Sequence, residues 1–141
     1  MSSENDSFYD WVDMFSIGVL FSKNRERFLP SLTEILKKSK ISDGLILFFY
    51  NYLNCSHYTF TESNTSYFKT LFFAEDKQSV IVQLLTDWYS VHKDAYWYDS
   101  HKSQNDTYCG YWCFEVPALL KIFRIDDSFC SNADYYPNYF V

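Results

Sequence analysis

The residues of this chain with the widest chemical reach are three histidines and four cysteines. His57, His92 and His101 with Cys55, Cys109, Cys113 and Cys130 offer the donor types of a zinc site, and a hydrolase built on them is one reading. Structural zinc sites usually show two tight ligand pairs, such as C-x2-C and H-x3-H. Cys109 and Cys113 lie four apart and would share a helix face, but the spacing of His92 and His101 fits neither pattern. The cysteines read more simply as small core residues, free thiols of a reducing cytosol. A nucleophilic site needs a Cys or Ser held by a His beside an oxyanion hole. Gly110 is the only glycine near the Cys109 and Cys113 pair, and no nucleophile elbow or phosphate loop is present. Glu115 falls among Tyr108, Tyr111, Trp112, Leu119 and Ile122 on one face of an expected last helix. A carboxylate among rings is costly unless paired. It therefore reads as a buried partner of a Tyr, a His or Arg124, with a catalytic acid as the alternative. No catalytic residue, metal or cofactor is assigned.

Binding chemistry is better represented. The chain holds 14 Phe, 13 Tyr and 4 Trp, or 22% aromatic residues. Most Phe belong in a core, but buried tyrosine hydroxyls each need a partner, and Tyr and Trp are favoured interface anchors. The net charge of −6 excludes the cationic footprint of a nucleic-acid binder and suits a basic protein partner. Residues 93–105 gather Asp94, Tyr96, Trp97, Tyr98, Asp99 and His101, large amphipathic rings mixed with acid. Such a segment can fill the cleft of a basic protein; equally, Trp97 and His101 can pin the loop to the body. Asp126 and Asp127 read either as turn residues or as part of the same surface.

These residues need a scaffold, and low counts of glycine and proline, 3 of each, favour helices over a sandwich of tight reversals. The fold expected is all-α, a compact bundle of five or six helices with a long structured loop and an ordered tail, one domain over 1–141. Phe8, Trp11, Val12, Phe15 and Val19 mark a first helix, with Asp6 or Ser7 as its cap and Gly18 weakening its last turn. Phe28, Leu32, Ile35 and Leu36 mark a second helix with Pro30 in its first turn. Leu45, Phe48, Phe49, Tyr52 and Leu53 mark a third, starting at Ser42 or Asp43. A polar loop follows at 54–64, where Tyr58 and Phe60 alternate in the manner of a short strand. Tyr67, Phe68, Leu71 and Phe72 suggest a short fourth helix. Ile81, Leu84, Leu85, Trp88 and Val91 define a fifth from about Asp76 to His92, and a last helix is expected from about Thr107 to Phe123. The N-terminus lacks a basic region and an apolar run, so the expectation is a cytoplasmic protein without a membrane span.

Residues 84–141 carry a gapped pattern. Trp88-Tyr89 is followed by Trp97-Tyr98 and His101, then Tyr108-x-Gly110-Tyr111-Trp112-x-Phe114-Glu115. Ile125-Asp126-Asp127-Ser128 and Tyr135-Tyr136-Pro137 complete it. This pattern resembles the C-terminal region of the PoNi family, the immunity proteins paired with polymorphic nuclease effectors; residues 28–72 match only through helical pattern. The resemblance implies a helical protein without catalytic activity, protecting a bacterium by binding and blocking a DNA-degrading toxin delivered by a contact-dependent secretion system. On that reading Trp88, Tyr108, Gly110, Tyr111, Trp112, Glu115, Tyr136 and Pro137 are the structural motif. Two departures stand out: the chain is short for relatives with an added N-terminal helical region, and Val116-Pro117 replaces small helix formers, so the last helix should bend there or begin later. An architectural module that homodimerises through its aromatic face is the remaining alternative.

Overall fold

In the computed structural model, which describes residues 2–57, 59, 68–105, 108 and 110–138, the apolar stripes above become six α-helices. No strand occurs among the described residues. Tyr58, Phe60, Tyr67, Thr107 and Cys109, and the side chain of Asp6, lie outside what is described.

Helix α1 (Ser2–Leu20) buries Val12, Phe15 and Val19 and packs against α3 (Gly44–Leu53) and α6 (Glu115–Phe123). Its last turn survives Gly18 because the absent side chain is what permits the approach. A Cβ there would sit 3.2 Å from Leu53 Cδ1 and 3.4 Å from both Leu32 and Phe28. Helix α3 is apolar nearly all round and lies at the centre. Asp43 caps it, its carboxylate accepting from the amides of Leu45 and Ile46. A 3-10 turn, Ser22–Arg27, leads to α2 (Leu29–Ser39), with Pro30 in the first turn where its missing amide costs nothing.

Helix α4 (Lys69–Phe73) is short. Lys77 closes it, its Nζ donating to the carbonyl oxygens of Leu71 and Ala74 while resting 5.2 Å from the Phe123 ring centre. Helix α5 (Lys77–Val91) is capped by Asp76 and buries Ile81, Leu84, Leu85 and Trp88. The chain then runs through turns and a short 3-10 segment, Ser100–Lys102, as a structured loop.

The last helix corrects the expectation. It begins at Glu115, not near Thr107, and Tyr108 and Gly110–Phe114 are non-helical. Gly110 has φ +97°, a left-handed geometry that side chains disfavour. Pro117 occupies the third helical position, where an amide has no carbonyl to reach, and Ala118 is the first residue to donate back, to Phe114. Tyr111 and Trp112 therefore do not share a helical face with Glu115, and Cys113 does not stand on a helix. Lys121 ties α6 to α1 by donating to the Leu20 carbonyl oxygen at 2.8 Å. The tail packs back on the body, where the Cys113 amide donates to the Tyr135 carbonyl oxygen at 2.8 Å.

Candidate functional site

The aromatic residues of the last third converge on one raft of rings. Trp88 of α5 stacks on Trp97 at 5.2 Å and 10°, and Tyr89 stacks on Tyr98 at 4.5 Å and 22°. Tyr135 lies parallel to Tyr89 on another side, and Tyr111 meets both Tyr89 and Trp97. Offset and edge contacts of this kind add stability beyond the area they bury. Two consecutive residues of α5 thus seize two consecutive residues of the loop.

Polar contacts fix the same loop. Tyr89 Oη donates to Asp99 Oδ1 at 2.7 Å and accepts from the Asp99 amide at 3.1 Å. Lys102 adds a 3.0 Å ion pair to Asp99, whose carboxyl is held below its ordinary range by the Tyr89 hydroxyl and then by Lys102. Asp99 is also one of the few non-glycine residues at positive φ, 60°. The Tyr111 hydroxyl accepts from the Ser100 hydroxyl and the His101 amide and lies 2.7 Å from His101 Nδ1.

The predicted partner-facing residues therefore divide. Trp97 and Tyr98 are half-buried in the raft, and Asp99 is occupied within it. His101 is exposed at its edge, Asp94 is exposed, and Tyr96 is 61% exposed with its hydroxyl donating to Asp10 of α1. Two motif residues join this outward set, Tyr108 at 52% and Trp112 at 40% exposure. Asp126 and Asp127 sit apart, on the turn after α6. Asp126 accepts from the Ser128 amide, and the Ser128 hydroxyl and then that amide hold its carboxyl low, while Asp127 accepts from the Tyr136 hydroxyl at 2.8 Å. Burial and then that bond raise the Tyr136 phenol, and Pro137 is buried next to it.

Beneath the raft is a polar cluster that sequence reading only half anticipated. Glu115 is 2% exposed and His92 is 1% exposed. His92 Nδ1 lies 2.6 Å from the Trp88 carbonyl oxygen, so Nδ1 carries the proton, and Nε2 faces Glu115 Oε1 at 4.0 Å. That is ion-pair range but too long for a hydrogen bond. Glu115 Oε2 and the Trp88 indole N–H find no hydrogen-bond partner among the described residues. The missing member was Asp13 of α1. Burial pushes its carboxyl up to about 8, with Glu115 and then Asp10 adding to the shift. Burial also lifts the Cys113 thiol well above its usual range, with Glu115 contributing. The available signal was that Tyr9, Asp13 and Ser16 share one flank of the α1 stripe, at helical spacing.

Cys55, Cys113 and Cys130 are free, and no group of three His, Cys, Asp or Glu able to hold a metal occurs among the described residues. No described helix is long and apolar enough to cross a membrane.

No curated protein and no solved structure matches the chain. The family described as PoNe immunity proteins (PoNi), C-terminal, matches residues 41–139, a span that takes in α3 to α6, the ring raft and the tail. The chain belongs to this family of immunity proteins.

Proposed function

We propose that this chain neutralises a cognate DNase toxin by stoichiometric binding, with no turnover of its own. The observation that carries this reading is the outward edge of the ring raft. Tyr96 stays exposed on a loop that two stacked ring pairs and several hydrogen bonds fasten to α5, and Tyr108 and Trp112 stay exposed in the segment that follows it. Large rings presented without an ordering cost are the anchors that interfaces favour. Asp94, Asp10 and His101 surround them, and the net charge of −6 favours encounter with a basic nuclease. Trp97, Tyr98 and Asp99 act in this surface by shaping it. Asp126 and Asp127, on a separate turn, extend it only if the partner is large enough to reach both.

The test is inhibition of the nuclease encoded beside this gene. The purified chain should block DNA cleavage at a one-to-one ratio. A triple variant, Asp94→Lys, Tyr96→Ala and Trp112→Ala, should weaken inhibition by about 100-fold, as loss of central anchors does, with an unchanged helical circular-dichroism spectrum. Full inhibition by that variant would move the interface elsewhere.

A further inference from the structure

Between α1, the 93–105 loop and the non-helical segment before α6 lies a recess of about 220 Å3. Trp88, Trp97, Tyr111 and Trp112 supply ring walls, and Asp13 is the only carboxylate on the lining among the described residues. Glu115, close enough to Asp13 to raise its carboxyl, is buried, and its Oε2 has no hydrogen-bond partner among the described residues. Three facts about this lining point the same way. The acids repel one another across a desolvated gap, and no donor among the described residues relieves Asp13. Ring faces attract cations, the more so away from water. An apolar occupant would leave both acids stranded, and an anion would be repelled.

We propose that the recess receives one guanidinium or alkylammonium group, offered as a basic side chain by the partner nuclease. Its source rests on the toxin-binding reading above; the receptor chemistry does not. The rim is built by Tyr96 and Trp112, two of the exposed rings of that surface, so a cation entering here arrives with a partner on those rings. The Trp88 N–H calls for an acceptor instead, which a water accompanying the cation supplies. With its carboxyl pushed up to about 8 by burial, Asp13 is largely protonated near neutral pH. The entering cation displaces that proton to solvent, so affinity rises with pH. The other titratable groups around the acid are Tyr9 and Asp10 of α1, His92 of α5, and Glu115 with Cys113 at the start of α6.

The experiment titrates the full chain with n-butylguanidinium, using n-butylurea as the neutral isostere, and follows the indole N–H resonances of the four tryptophans. Saturable shifts confined to Trp88, Trp97 and Trp112 are expected, with affinity on the order of 50- to 100-fold weaker at pH 6 than at pH 8.5. Asp13→Asn should weaken it by at least about tenfold as well. Equal response to the urea, or no saturation by about 50 mM, would overturn the receptor. Trp112→Ala, at the exposed rim, gives a second variant that leaves the core intact. Nuclease inhibition then separates the sources: Asp13→Asn should inhibit about tenfold less well. If it inhibits normally while only the wild type binds butylguanidinium, the assignment to a partner side chain is wrong. If the wild type inhibits no neighbouring nuclease, the toxin-binding reading fails, and the guanidinium titration still decides the recess.

Discussion

Asp13 is a carboxyl whose folded pKa, about 8, lies far above its ordinary 3.8. The folded state therefore binds a proton more tightly than the unfolded chain does. The stability this contributes is complete below about pH 4, declines as pH rises towards 8, and is gone above it. Asp76, Asp99 and Asp126 have lowered values, so their contributions change only in the acid range below that window. Asp13→Asn should flatten the stability profile between pH 4 and 8 and stabilise the protein at pH 8 by about 5 kcal/mol, more than about 10 °C in Tm. Melting curves of both proteins across that range check it, and the difference between them cancels the histidines. Gly110 makes a second residue-scale prediction. A Cβ at its φ of +97° would sit 2.6 Å from Trp112 Nε1. Gly110→Ala should cost about 1–3 kcal/mol and displace the Trp112 ring, seen as a changed Trp112 indole resonance.

At the scale of elements, helix boundaries written in caps and stripes were legible. Asp43, one of two expected starts, caps α3, and Asp76 caps α5 where its stripe was expected to begin, whereas α1 begins at Ser2, ahead of the Asp6 or Ser7 expected to cap it. The stripes of α1, α3 and α5 are largely buried, with Val91 left 45% exposed. The last helix was overextended because Tyr108, Tyr111, Trp112 and Glu115 are spaced three and four apart by coincidence. Tyr111 answers to Tyr89 of α5 and to Trp97, and Tyr108 to His101 and Tyr111, a tertiary demand that a local period cannot reveal. Pro117 was the correct warning. The loop after α5 was legible as structured, but its fastening was not, since stacking of Trp88-Tyr89 on Trp97-Tyr98 joins two dipeptides that look unrelated. Trp97→Ala should remove that fastening at a cost of about 2–4 kcal/mol. Faster tryptic cleavage after Lys93 and Lys102, with α1 and α3 amides still protected from exchange, would show that the loss is local.

The whole molecule extends beyond the family match. Residues 41–139 carry the family pattern, yet α1 lies before it and supplies Val12, Phe15 and Val19 to the shared core. Burial of those three side chains is worth on the order of 5 kcal/mol, comparable with the entire net stability of a small domain. A chain starting at residue 41 should therefore lose cooperative unfolding and dispersed NMR signals, and adding residues 1–40 in trans should restore part of both. The net charge acts at this scale too. If acid steers the encounter, association with the nuclease should slow by about tenfold or more between 50 and 500 mM salt while dissociation changes little.

Tyr96 is held by Asp10, 86 residues away in the chain, and the recess it borders draws its acid from Asp13. On the proposed toxin-binding reading, recognition in this protein is for that reason not a cassette. Grafting the segment after α5 into a relative would transplant the rings and leave behind the helix that orients and charges them. Swapping specificity between two such proteins calls for co-inherited changes at both ends of the gene.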